Sequence, residues 1–73
     1  MSAKEMFEEL GFECSKNKFS IRYYKEFRDY DDDSYTLDID FRLIEEKLFS
    51  DFGIDIRLLK AINKQVDELG WNK

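Results

Sequence analysis

Two stretches of alternating apolar and polar residues decide the fold: "FSIRYYKEFR" at residues 19–28 and "YTLDIDFRL" at residues 35–43. Successive side chains of a β-strand point to opposite faces, so a period of two predicts strands with one buried and one solvated face. Lys25 alone interrupts the apolar face. The two stretches therefore predict neighbouring antiparallel strands. The residues predicted to be buried are Phe19, Ile21, Tyr23, Phe27, Tyr35, Leu37, Ile39, Phe41 and Leu43.

The segment between the strands, "DYDDDS" at residues 29–34, predicts the connecting loop of a β-hairpin, because Asp and Ser favour turns. Keeping apolar residues opposite apolar residues fixes the register of the hairpin. Residues of the solvated face then pair across the strands. The predicted partners are Tyr23 with Ile39 on the buried face, and Arg22 with Asp40 and Tyr24 with Asp38 on the solvated face.

A short helix is predicted before the strands, at residues 2–10. Ser2 and Glu5 have the spacing of a capping box, in which each side chain accepts a hydrogen bond from the other residue's backbone N–H. Gly11 predicts the end of the helix, since glycine readily adopts the left-handed conformation found there. The predicted buried stripe consists of Ala3, Met6, Phe7 and Leu10.

A second helix is predicted to begin after Asp55, whose side chain can cap it. Ile54 and Leu59 have the spacing of a hydrophobic staple. The helix ends in "DELGW" at residues 67–71, which repeats the form of "EELGF" at residues 8–12 and predicts the same glycine ending. Its predicted buried face consists of Leu58, Leu59, Ile62, Val66 and Leu69.

Further short strands are predicted near residues 12–14 and near residues 47–50. The order is therefore helix, antiparallel meander of three to four strands, and helix. Both helices would cover one face of the sheet and leave the other in water. We predict a single α+β domain over residues 1–73.

The composition argues against most enzyme classes. The chain has no histidine, which excludes Ser-His-Asp and Cys-His catalysis, and Cys14 is its only cysteine. Its three glycines stand apart, so no glycine-rich phosphate loop is present. We therefore expect a protein that is not an enzyme, with no catalytic residues, no cofactor and no metal.

The location of the protein is also predicted from composition. No apolar run approaches the ~20 residues of a membrane span, and the acidic first residues do not resemble a signal peptide. A lone cysteine is typical of a reducing compartment. These features predict a cytoplasmic protein without membrane contact.

The charge is concentrated in residues 29–40, which hold six acidic residues and no basic one. The rest of the chain carries 11 acidic and 12 basic residues, so this segment accounts for the net charge of −5. The second helix carries a thin basic stripe made of Arg57, Lys60 and Lys64. Because the chain as a whole is acidic, we do not expect this stripe to bind nucleic acid directly.

Four interpretations of the acidic segment are open, and the first three do not involve a protein partner. Asp29, Asp31 and Asp33 have the 1, 3, 5 spacing of an EF-hand loop, although the flanking residues alternate like strands. Asp38 and Asp40 share one strand face, about 7 Å apart, as paired catalytic carboxylates do. The segment can also be a solvated turn with cross-strand ion pairs on the outer face.

The fourth interpretation is recognition of a basic surface on another protein. Tyrosines interleaved with carboxylates suit such an interface, because tyrosine is a frequent anchor and acidic charge steers a basic partner. The candidate partner-binding residues are Asp29, Tyr30, Asp31, Asp32, Asp33, Tyr35, Asp38 and Asp40.

The motifs "AKEMFEELGF" at residues 3–12 and "LLKAINKQVDELGW" at residues 58–71 resemble a group of small uncharacterised proteins from phages and prophages of Gram-positive bacteria. The acidic loop and the connection "EEKLFSDFG" at residues 45–53 depart from that group. The resemblance implies an accessory protein working in a bacterial cytoplasm, and implies no catalytic residues.

We therefore expect a non-enzymatic accessory protein that binds a host protein, for example as an inhibitor of a nucleic-acid-handling or defence protein. The alternative is a structural or self-associating module, in which a sheet edge or exposed aromatic residues form a homodimer.

Overall fold

The computed structural model describes residues 1–28 and 30–72. The chain order is one helix, four strands and a second helix, which confirms the predicted α+β fold and both short strands. The elements are α1 (Ala3–Glu9), β1 (Glu13–Lys16), β2 (Ser20–Arg28), β3 (Ser34–Arg42), β4 (Lys47–Ser50) and α2 (Ile56–Leu69).

The four strands form one antiparallel sheet in the order β1-β2-β3-β4, so each strand pairs with its neighbour along the chain. The predicted register of the β2–β3 hairpin is confirmed. Tyr23 lies opposite Ile39, Arg22 opposite Asp40, and Tyr24 opposite Asp38.

Both helices pack on one face of the sheet, here called the inner face. The ring of Phe7 from α1 stacks on Tyr23 of β2 with ring centroids 3.8 Å apart, and both side chains are buried. Neither α1 nor α2 covers the opposite, outer face, and Arg22 is exposed there. The core is made of Phe7, Phe12, Ile21, Tyr23, Ile39, Phe41, Leu58, Ala61 and Ile62.

The helices begin and end as their sequences predict. Both hydrogen bonds of the capping box between Ser2 and Glu5 are present. The Asp55 carboxylate accepts a hydrogen bond from the N–H of Leu58 at 2.8 Å. Gly11 and Gly70 both have a left-handed backbone, with φ of 91° and 74°.

Lys25 lies on the inner face because α1 uses its charge. Its Nζ donates a hydrogen bond to the carbonyl oxygen of Leu10 at 3.1 Å, where α1 ends. Cations are stabilised at a helix C-terminus, since the last carbonyls lack partners within the helix. The aliphatic part of the side chain meanwhile crosses apolar surface beside Phe12.

Four residues predicted to be buried are exposed instead: Phe19, Phe27, Tyr35 and Leu59. A nine-residue strand is about 30 Å long, whereas the 14-residue α2 is about 21 Å long, so the helices cannot cover the whole hairpin. On α2 the buried stripe is turned toward Ala61 and Gln65, and Leu59 lies at its margin.

Candidate functional site

The β2–β3 hairpin carries the candidate site at its far end. Nine residue pairs join its strands, from Ser20 with Arg42 to Arg28 with Ser34. Its distal part reaches beyond the helices, and the molecule measures 44 × 23 × 18 Å. The hairpin tip, defined here as residues 30–33, is therefore presented away from the core.

The tip combines a tyrosine with three carboxylates. Tyr30 is fully exposed at 108% of its reference area, and Asp31, Asp32 and Asp33 are exposed beside it. Asp32 has a left-handed backbone with φ of 65°, which Asp tolerates better than most residues. The candidate Asp29 lies outside the described residues.

An aromatic pair lies next to the tip. The rings of Phe27 and Tyr35 face each other across the hairpin with centroids 5.1 Å apart, and the two residues remain 41% and 48% exposed. The alternating pattern predicted both rings to be buried, and only Tyr35 was also a partner-binding candidate. The length of the strands could have predicted the exposure of Phe27, because the alternation continues beyond the reach of either helix.

Arg28 at the end of β2 forms ion pairs beside the tip. It lies 3.9 Å from the Asp32 carboxylate and 3.7 Å from that of Glu26. All three side chains are largely exposed, so these ion pairs contribute little to stability. The tip therefore keeps an acidic surface.

Asp38 and Asp40 lie apart from the tip, on the outer face of the sheet. From Ser34 to Asp38 the strand rises about 14 Å. Arg22 Nε donates to Asp38 Oδ1 at 2.5 Å, and Arg42 Nε donates to Asp40 Oδ2 at 3.0 Å. The seven predicted residues that the structure describes therefore do not form one continuous site.

The outer-face arginine takes a diagonal partner. Asp40 lies directly opposite Arg22, yet Arg22 pairs with Asp38, two residues away along β3. Its guanidinium also lies over the Tyr24 ring, 4.7 Å from the centroid. This contact favours the side of Arg22 on which Asp38 lies.

A shallow depression of about 400 Å³ surrounds these carboxylates, between Arg22, Asp38, Asp40 and Phe49. Asp40 Oδ1 is buried at its edge and has no hydrogen-bond partner in the described part of the chain. The depression is wide and open, so it offers no enclosed volume for a small substrate.

A second depression of about 220 Å³ lies where α1 ends and α2 begins, between Leu10, Lys25 and Asp55. Lys25 and Asp55 already serve the helix ends there. These two polar side chains are therefore accounted for by helix capping.

The structure around the acidic loop does not match the EF-hand calcium site that the aspartate spacing suggests. Strands end at Arg28 and begin at Ser34 on either side of the acidic loop, whereas an EF-hand requires helices. Within residues 1–28 and 30–72, no group of three or more acidic or cysteine side chains is arranged to hold a metal ion.

Over the same described ranges, no helix combines the length and apolar character needed to span a membrane. Comparison of the chain with family models, with curated proteins and with solved structures gave no match. The fold and site define the chain as a small helix–meander–helix domain with an acidic, tyrosine-bearing hairpin.

Proposed function

We propose that this chain is a non-enzymatic accessory protein of phage or prophage origin that binds a basic surface of a host protein in the bacterial cytoplasm. The observation that carries the proposal is the projecting tip, where fully exposed Tyr30 lies among the exposed carboxylates of residues 31–33. Phage origin rests on the resemblance of residues 3–12 and 58–71.

The rigidity of the hairpin supports binding through the tip. A continuous ladder of nine residue pairs holds the two strands together, and the Phe27–Tyr35 ring pair braces the distal end. A loop held on such a scaffold loses less conformational entropy on binding than a free loop does. The tip can therefore enter a groove without rearranging the core.

The distribution of charge supports a basic partner. Arg22 and Arg42 are engaged by Asp38 and Asp40, so the outer-face charges largely compensate each other. The excess negative charge remains at the tip. Such a surface raises the association rate with a basic groove and repels acidic competitors.

The aromatic residues supply the apolar contact that charge alone does not provide. Tyr30, Phe27 and Tyr35 present exposed rings around the carboxylates. Aromatic residues that become buried account for much of the binding energy in many interfaces. We expect Tyr30 to enter a pocket while the carboxylates pair with surrounding Lys or Arg.

The test is a tagged pull-down from Gram-positive bacterial lysate at about 50 mM and about 300 mM salt. The triple variant Asp31→Asn, Asp32→Asn, Asp33→Asn is expected to capture at least about tenfold less partner at low salt, because several charge contacts are lost. Tyr30→Ala is expected to weaken capture at both salt concentrations.

A matched control changes the same net charge elsewhere. Glu9→Gln, Glu13→Gln, Glu45→Gln removes three exposed carboxylates remote from the tip, and capture should remain close to that of the unmodified chain. Equal capture by the tip variant and the unmodified chain would reject the proposal.

A further inference from the structure

We propose that β4 pairs antiparallel with β4 of a second copy of this chain, which joins two four-stranded sheets into one of eight strands. The strand order leaves β1 and β4 at the two edges of the sheet. An edge strand presents unpaired backbone N–H and C=O groups, which can pair with another chain. This surface is separate from the hairpin tip.

The side chains of the two edges differ. In β1 they include Glu13 and Lys16, and charges of this kind discourage pairing. β4 also carries one charged residue, Lys47, but its central residues are apolar: Leu48 and Phe49 keep 40% and 52% of their area in solvent. Neighbouring apolar residues on an exposed edge are typical of an edge that pairs.

Two residues of β4 direct their backbone N–H and C=O groups away from β3, toward the open edge of the sheet. In the β2–β3 ladder the Leu43 N–H donates to the Phe19 carbonyl at 2.9 Å, so even-numbered residues of β3 turn toward β4. Asp40 lies opposite Phe49, which places the N–H and C=O of Phe49 toward β3. The groups of Leu48 and Ser50 therefore point to the open edge.

A two-fold axis perpendicular to the sheet at Phe49 satisfies those groups. Leu48 of each copy then forms a hydrogen-bonded pair with Ser50 of the second copy, which gives four backbone hydrogen bonds in all. This symmetry keeps both inner faces on the same side of the joined sheet. A shift of two residues would instead place Glu46 opposite Ser50, and Glu46 has a left-handed φ of 54°.

The side chains are complementary in this register. Phe49 meets Phe49 of the second copy in a non-hydrogen-bonded pair, where Cα atoms come within about 4.5 Å. Lys47 lies opposite Asp51 of the second copy, twice in the dimer. Asp51 borders the same outer-face depression as Phe49, so it is on the side that the pairing requires. Self-complementary charge is the reason for choosing a second copy as the occupant.

The antiparallel arrangement also separates the acidic segments. β4 pairs with residues 39–42 of β3, at the end of the hairpin that is remote from the tip. The two-fold axis reverses one copy relative to the other, so the two tips point to opposite ends of the dimer. Their mutual repulsion is therefore small despite a net charge of −5 for each chain.

Sedimentation equilibrium of the full chain from about 10 µM to about 1 mM tests the association, since a small edge interface is expected to be weak. The unmodified chain should pass from monomer to dimer, and Phe49→Lys should raise the dissociation constant at least about tenfold. Phe19→Lys is the matched control, because Phe19 is similarly exposed, at 56% against 52% for Phe49, and lies outside β4.

A charge swap tests the register. Lys47→Asp and Asp51→Lys should each weaken the dimer about threefold to tenfold, and the double variant should restore it. Lys47 begins β4 and Asp51 follows its last residue, so the extended chain keeps the two side chains of one copy about 13 Å apart. Restoration therefore reports a contact between copies.

Amide hydrogen exchange gives a readout that does not depend on any variant. The N–H groups of Leu48 and Ser50 should become more protected as concentration rises, whereas those of Cys14 and Lys16 at the β1 edge should not. A chain that stays monomeric, a dimer unaffected by Phe49→Lys, or protection at β1 instead of β4 would overturn the proposal. None of these outcomes bears on the hairpin tip.

Discussion

Tyr23 places a phenol hydroxyl inside the core, where Gln65 of α2 accepts its hydrogen bond at 2.5 Å. Gln65 is itself 5% exposed, so each group depends on the other for a partner away from water. Burial raises the pKa of the Tyr23 phenol far above its ordinary value of 10.0, because the charged phenolate is poorly solvated there. One hydrogen bond thus links the centre of the sheet to the second helix.

The first prediction concerns this pair at neutral pH. Tyr23→Phe leaves the Gln65 side chain without its partner and should lower the free energy of unfolding by about 1–2 kcal/mol. Tyr23→Phe combined with Gln65→Leu should recover much of that loss, since no buried polar group is then unpaired. Urea denaturation of the two variants and the unmodified chain measures both effects.

The same residue gives a pH dependence with a definite sign. A phenol whose pKa is raised by folding contributes stability that is complete below the unfolded pKa of about 10 and is lost as pH rises above it. The unmodified chain should therefore lose stability above pH ~10 more steeply than Tyr23→Phe. Parallel curves for the two proteins would contradict the burial argument.

At the scale of elements, the end of α1 depends on two residues that are far from each other in sequence, Gly11 and Lys25. Gly11 has a φ of 91°, and a Cβ placed there would lie 3.4 Å from both Cε and Nζ of Lys25. The lysine cannot move away freely, because it donates to the Leu10 carbonyl. The helix end, the turn and β2 are thus fitted to one another.

The prediction at this scale is that Gly11→Ala lowers the free energy of unfolding by about 1–2 kcal/mol, since alanine is strained in the left-handed region. Gly53→Ala is the matched control: its φ lies outside the left-handed range, and among the described residues only its chain neighbours lie within 4 Å of the added Cβ. Thermal unfolding followed by circular dichroism compares them, and equal shifts would refute the role of Gly11.

The elements also show what the sequence could and could not predict. The capping box of Ser2, the ending at Gly11 and the pairing of Tyr23 with Ile39 rest on local signals, and all three are confirmed. The exposure of Phe27 depends on where the helices stop above the sheet, which alternation within β2 does not encode. The inward position of Lys25 depends on a carbonyl 15 residues away.

The candidate site shows the same division. Alternation correctly placed Asp38 and Asp40 on a common outer face, but it did not separate them from the tip. The choice of Asp38 by Arg22, in place of the directly opposite Asp40, follows from the three-dimensional position of the Tyr24 ring. Phe27 lies in the exposed aromatic pair because the strands are longer than the helices that cover them, which the alternating pattern does not show.

At the scale of the whole molecule, one cluster of buried side chains joins both helices to the sheet. Trp71, just past α2, packs on Phe41 of β3 with ring centroids 6.1 Å apart. As the only tryptophan, it reports on the contact between the C-terminal segment and the central strands. The cluster predicts cooperative unfolding of the described elements.

The corresponding prediction is that Trp71 fluorescence and the far-ultraviolet circular dichroism signal change at the same denaturant midpoint, because α2 and the sheet share one core. Phe41→Ala should lower both midpoints together and reduce stability by about 3–5 kcal/mol. A fluorescence change that precedes the loss of secondary structure would mean that the segment around Trp71 detaches separately.

The Ala3 N–H donates a hydrogen bond to the Glu68 carboxylate at 2.8 Å, so the first turn of α1 is fastened to the last turn of α2. Tethers attached at Ser2 and Asn72 would consequently pull the two helices apart in an unzipping geometry. Bonds would then break one after another, beginning at Glu68, and would not be loaded together as in shear. A chain pulled this way should yield at low force despite its four-stranded sheet.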